Sequence, residues 1–323
     1  MRSPQFHLGI CCVALLNALC WTASALAFGD YDSSDIRSRR AFLHTASSSA
    51  AASIAGGSML ILTGSPATCS AATSSEELQI GLIEARVSGN VLSPPPYGRE
   101  DADIIYPDWF RGTWDVYSET TTVEAPCGVP LFGGNSTFAA AKREIGASNA
   151  LQYRARFVEG SAGTIADREY NVREIAKQAM GTNAVQDVSL ATPDKFSCLL
   201  SPAGAGQVLS VDLLTLARRQ EKIDGKNFHC AEVVRQVVVP VNQNKPQMTP
   251  LPPQQPSSKT VLLKEIETAS LYTLEDENKV KCVQRSATFL LPSQQDPLAQ
   301  QLWQMSRGRP IDVRFYDVTY TRR

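Results

Sequence analysis

His229 is the first residue to test for chemistry, because only His7 and His44 accompany it in a chain of 323 residues, and both sit near the start. A serine or cysteine nucleophile needs an imidazole within hydrogen-bond reach to take its proton. Cys230 follows His229 directly in a stretch of strand composition, so the two side chains must point to opposite faces and cannot make a dyad. Cys127, Cys198 and Cys282 reach His229 only if the fold brings them there, and no spacing specifies that. These four cysteines are far apart and lack the close ligand pairs of a structural zinc site, which leaves free thiols, one bridge, or two bridges in any of three pairings. Asp167-Arg168-Glu169 and Glu265-Ile266-Glu267 place carboxylates two apart on candidate strands, where they share a face. Such pairs serve acid-base chemistry, hold a cation, or simply belong to a solvated sheet face. Gly204-Ala205-Gly206 lacks the third glycine and the following helix of a dinucleotide site, and neither a phosphate-binding loop nor H-E-x-x-H occurs. No catalytic residue, metal site or cofactor is expected, and an enzyme is the weakest of the readings that remain.

Charge narrows the partners. Residues 1–72 carry four of the 31 basic and three of the 32 acidic side chains, so the remainder is close to neutral. Such a balance gives no electrostatic basis for binding nucleic acid or an anionic membrane.

The first 72 residues read as addresses. Arg2 precedes an apolar run from 8 to 21 that ends in small residues, with Ala25 and Ala27 before Phe28. That is the pattern of a cleaved signal peptide over 1–27, too short for a comfortable bilayer span. Phe28 directly after the cut resembles the bipartite plastid-import leaders of algae with secondary plastids. Asp30, Asp32 and Asp35 depart from a typical transit peptide and keep plain secretion open. Ser38-Arg39-Arg40-Ala41-Phe42-Leu43, followed by a weakly apolar Ser/Ala/Gly-rich stretch, resembles a twin-arginine signal, so 28–72 reads as a transit region plus a second export signal. A single membrane anchor is the competing reading. Two signals in series imply the thylakoid lumen of a plastid, with a mature form that does not span the membrane.

The elements that would position any site come from residues 73–323, read as one domain. Composition predicts strands over 106–125, 151–158, 163–170, 185–190, 196–200, 207–216, 230–239, 261–274, 280–290 and 311–321. Helical spacing occurs over 171–180 and 296–305, where Asp296-Pro297 offers a cap and a first-turn proline. The fold class is therefore mainly β: an antiparallel β-barrel with one or two short helices. A proline-rich stretch, 240–258, holds six prolines and a single charge, Lys245, and reads as a disordered loop insertion.

Gly112-Thr113-Trp114 resembles the G-x-W signature of lipocalin-like barrels. That resemblance implies a tryptophan closing the barrel floor under an arginine of the last strand, here Arg314, Arg322 or Arg323. A longer resemblance runs through Tyr106-Pro107-Asp108-Trp109-Phe110-Arg111-Gly112-Thr113-Trp114, Ala166-Asp167-Arg168-Glu169-Tyr170-Asn171, Val234-Arg235-Gln236 and Gly308-Arg309-Pro310-Ile311-Asp312-Val313-Arg314-Phe315-Tyr316. Over 100–323 the chain is similar to an uncharacterised family of cyanobacterial and plastid proteins known as a domain of unknown function. The signature positions are Trp109, Gly112, Trp114, Asp167, Arg168, Arg235, Arg309, Asp312, Arg314 and Tyr316, and none has an assigned role. The expectation is a non-catalytic thylakoid-lumenal barrel that binds a small apolar or amphipathic molecule such as a pigment, quinone or lipid. The alternative is an assembly or stability factor for a photosynthetic membrane complex. An open interior pocket favours the first and a filled interior the second.

Overall fold

A computed structural model describes residues 81–89, 91–98, 103–192, 194–201, 208–241, 262–293 and 297–323. The described residues belong to one compact unit. Ala25, Ala27, Phe28, Arg39 and Arg40 lie outside them, as does nearly all of the proline-rich insertion.

Ten strands form one antiparallel sheet: β1 (Gly112–Glu124), β2 (Leu151–Gly160), β3 (Gly163–Ala166), β4 (Val185–Thr192), β5 (Lys195–Leu200), β6 (Val208–Lys222), β7 (Asn227–Val241), β8 (Leu262–Asp276), β9 (Lys279–Leu290) and β10 (Asp312–Arg322). Their order is β3-β2-β1-β10-β9-β8-β7-β6-β5-β4, and the sheet curls into a half-barrel. Every neighbouring pair is consecutive in sequence except β1 and β10, whose pairing draws the first and last strands together in mid-sheet. This is the barrel-like, mainly β fold expected. Its ladder does not close among the described residues, because β3 and β4 are edges.

Among the described residues five short helices accompany the sheet rather than one or two: α1 (Leu82–Ser88), α2 (Val129–Phe132), α3 (Asn135–Arg143), α4 (Arg168–Met180) and α5 (Pro297–Ser306). The first three span nine residues or fewer, so no apolar period can show in them. The 163–170 strand is also shorter than predicted. It stops at Ala166 because Asp167 caps α4, accepting the Tyr170 N–H at 3.2 Å. Likewise, the 106–125 strand begins only at Gly112. Tyr106 makes an isolated bridge to Thr164, a 3-10 turn spans Asp108–Phe110, and Gly112 turns the chain with φ +119°.

The seam between the sheet's ends is filled by α4, which packs against β2 and β4. Its Val172, Ile175, Ala176 and Met180 join the main core with Trp114, Phe157, Phe196, Val211, Phe228, Tyr272 and Tyr320. The register assigns these strand residues to the inner face, alternating with the outer face at period 2. The four cysteines among the described residues form no disulfide; Cys198, Cys230 and Cys282 are small apolar pieces of that core. Burial pushes the Cys198 thiol up to about 12, which keeps it inert at neutral pH.

Candidate functional site

The signature residues do not converge on one site. At one end of the half-barrel, Tyr106, Phe110, Phe157, Tyr272 and Tyr320 pack together, mostly edge to face, with ring centroids 4.6–6.5 Å apart. Trp114 is fully buried beside them and donates its indole N–H to the Phe110 carbonyl at 2.7 Å. The Arg322 guanidinium lies 4.4 Å from the Trp114 ring. It also donates to the carbonyls of Trp109, Arg111 and Glu277 at 2.6, 2.8 and 3.0 Å. A Cβ at position 112 would meet Arg322 Nη1 at 3.3 Å, a second reason for glycine there. Trp109, Gly112 and Trp114 thus form a floor tied by one arginine. Asp167 pairs with Arg156 at 2.6 Å, and buried Arg168 reaches Asp103 at 3.0 Å and Glu232 at 3.7 Å. Arg235 pairs with Glu265 on the outer face, and Arg309 is exposed.

Asp312, Arg314 and Tyr316 lie on the inner face instead. Asp312 accepts from Arg314 Nε at 3.1 Å, and Arg314 Nη1 reaches Glu144, at the end of α3, at 2.7 Å. Burial holds the carboxyls of Asp312 and Glu144 above the usual carboxylate range and drives Lys264, buried beside them, well below the usual lysine value. Lys264, Thr268, Ser270, Gln284, Ser286 and Thr288 make the inner face of β8 and β9 polar although each is buried. Gln284 donates to Ser270 at 2.9 Å. Thr268 Oγ1, its cross-strand partner's Ser286 Oγ, and Gln236 Nε2 have no hydrogen-bond partner among the described residues. Each such group costs about 1–3 kcal/mol.

On the outer face, α1 and the segment to residue 98 strap β7–β9. Ile83 and Val87 pack on Ala231 and Ala269. Glu267 is fully buried rather than solvated. It accepts from both Nε and Nη2 of Arg86, from Arg285 Nη1 at 3.0 Å and from Tyr97 Oη at 3.0 Å. The spare arginine donors go to the carbonyls of Ser93 and Val91 at 2.9 and 2.7 Å. His229 lies on this face and Cys230 on the inner one, as alternation requires. No metal-holding group of His, Cys, Asp and Glu occurs among the described residues.

One groove of about 580 Å³ lies over the outward face of β1 and β2, beside α4. It is lined by Asp115, Tyr117, Gln152, Arg154, Glu174, Lys177 and Gln178, among others. Arg154 crosses it to Glu174 at 2.8 Å. Sequence pattern could not reveal this groove, since strand and helix are distant in kind and meet only at the seam.

Val116, Tyr153 and Val318 on the inner face are at most 4% exposed, Thr268 and Ser270 are at 0%, and even Lys264 reaches only 8%. The half-barrel is filled by its own side chains. Fold and sites together define a barrel-like, all-antiparallel protein with a packed interior, paired buried charges and a polar groove at its seam. Residues 98–323 match DUF6816, a domain of unknown function, and the chain belongs to that family. No curated protein and no solved structure shows a significant match to the chain.

Proposed function

We propose that this protein is a non-catalytic interaction factor of the thylakoid lumen that assists assembly or stability of a photosynthetic membrane complex. The filled interior carries the choice between the two readings of the sequence. A barrel that holds a drug-sized ligand encloses a cavity of about 300–1,000 Å³, and here side chains occupy that space. A groove beside the seam is walled by polar groups, which suits contact with another chain better than with a pigment or lipid. The leader supports the location: a signal peptide before Phe28 and a twin-arginine pair, Arg39-Arg40, call for two translocations.

A second reading keeps one observation. Thr268, Ser286 and Gln236 are buried donors without hydrogen-bond partners among the described residues, on a single inner face, and a small polar molecule there would satisfy them.

Recovery of the full chain from isolated thylakoid lumen, with mass spectrometry of what accompanies it, tests both. Co-purification of photosystem subunits in fixed ratio is the expected result. A stoichiometric small molecule without protein partners would replace this reading with the second. An Arg39→Lys/Arg40→Lys chain should stay in the stroma; equal arrival in the lumen would overturn the location.

A further inference from the structure

Asn135-Ser136-Thr137 is the one N-x-S/T sequence in the chain, and its middle residue is not proline. That triplet is the acceptor for an asparagine-linked oligosaccharide wherever a chain enters a compartment that holds the transferring enzyme. It opens α3, just after Gly133 and Gly134, whose φ values of +122° and +95° turn the chain out of α2. Phe138 and Ala141 pack with Phe132 and Val123, while Asn135, Ser136, Ala139, Lys142 and Arg143 are exposed. A branched sugar on Asn135 therefore extends into solvent and displaces nothing that α3 buries.

In the folded helix the triplet cannot be read as a unit. Residues two apart on a helix do not face each other, and the Thr137 hydroxyl donates back to the Gly133 carbonyl at 3.1 Å. Transfer has to precede the helix, and the topology leaves time for it. Nine residues are too few for a stable isolated helix, so α3 depends on what it packs against. Val123 lies in β1 opposite Arg314 of β10, and Glu144, just past the helix, is held by the same Arg314 at 2.7 Å, 170 residues further along the chain. The support of α3 is thus complete only once β10 has been made. At about 5–20 residues per second, synthesis of that stretch keeps the triplet extended for on the order of 10 s.

We propose that Asn135 is an N-glycosylation site, loaded while the chain crosses its first membrane. Nδ2 of Asn135 attacks C1 of a lipid-linked oligosaccharide: the N–C1 bond forms, the C1–O bond to the polyprenyl diphosphate breaks, and one amide proton is released as the diphosphate leaves. This rests on the signal peptide read over 1–27 and on no choice of destination, since the lumenal and the secreted readings both begin with that crossing. For the interaction reading it has one consequence. A bulky sugar shields the exposed side of α3, so a partner docks on another face.

The full chain, isolated from the cells that make it and treated with peptide-N-glycosidase in heavy-oxygen water, provides the test, because removal of a sugar turns Asn135 into a labelled aspartate. The expected result is that label at position 135, with faster migration of the treated chain on a gel. Asn135→Gln and Thr137→Ala, made in the same cells, should each lose both signals. Ser136→Ala keeps the acceptor and should keep both. Unlabelled Asn135 in the unaltered chain, or a mobility shift that survives Asn135→Gln, would overturn the proposal; the unaltered chain decides by itself if a variant misfolds. N-terminal sequencing of the same sample separates the causes of failure. An unmodified chain whose signal peptide has been removed would sink the site and leave the reading of the leader intact. An unmodified chain that still begins at Met1 would sink both.

Discussion

His229 shows how a lone reactive residue becomes structural. It sits at 8% exposure under the N-terminal arm, and its Nδ1 has no partner among the described residues. Burial lowers its pKa below the ordinary imidazole value, although the carboxylates of Glu84, Glu221 and Asp224 oppose the shift. A base with a depressed folded pKa is neutral in the fold while the unfolded chain takes a proton. Stability from this residue is therefore complete above about pH 6.5 and is lost as pH falls from there toward the folded value. Urea midpoints of the unaltered chain should fall between about pH 6.5 and 5, and His229→Gln should flatten that part of the profile. An unchanged slope in the variant would assign the acid sensitivity to other groups.

At the scale of elements, the arm of α1 and residues 91–98 is held by a buried charge set as well as by packing. Glu267 answers two guanidiniums, Arg86 and Arg285, and burial lowers the pKa of Arg285. Removing the shared carboxylate strands two buried cations, and breaking such a pair costs about 3–5 kcal/mol. Glu267→Gln should therefore lose about that much stability in denaturant titration and expose residues 81–98 to proteolysis before the sheet unfolds. Replacing all three together, Arg86→Met, Glu267→Leu and Arg285→Met, should cost far less, because no charge is left without an answer. If the single variant is as stable as the triple one, the arm is held by Ile83 and Val87 alone.

For the whole molecule, closure of the sheet depends on α4 rather than on a tenth ladder. Asn171 bonds both polar groups of Arg156 and is the point at which strand pairing hands over to helix packing. Asn171→Leu keeps a similar size but leaves the Arg156 N–H unanswered, at about 1–3 kcal/mol. The loss should appear as faster amide exchange confined to β2, β3 and α4, with β7–β9 unchanged. Uniform acceleration across the sheet would mean that the seam is not a separate point of weakness.

Alternation and β-rich composition by themselves determined all ten strands, the antiparallel class, the opposite facing of His229 and Cys230, and the helical character of 171–180 and 297–305. Those features are local, with periods short enough to read in a single stretch of chain. The Gly112-Thr113-Trp114 turn was legible too, but three arginines of the last strand were equally available to Trp114. Only tertiary structure chose Arg322 over Arg314, whose partners are Asp312 and Glu144. Burial of Glu267, read as half of a solvated pair, was decided by α1, a two-turn helix about 180 residues away in sequence. The polar inner face of β8 and β9 could not be told from a wet face, because Thr, Ser and Gln look alike on either side of a sheet. The open edge at Gln152 and Arg154 lay furthest from view. It exists because β3 ends at Ala166, where the chain turns into α4, and backbone groups without ladder partners leave no mark on the side chains that carry them.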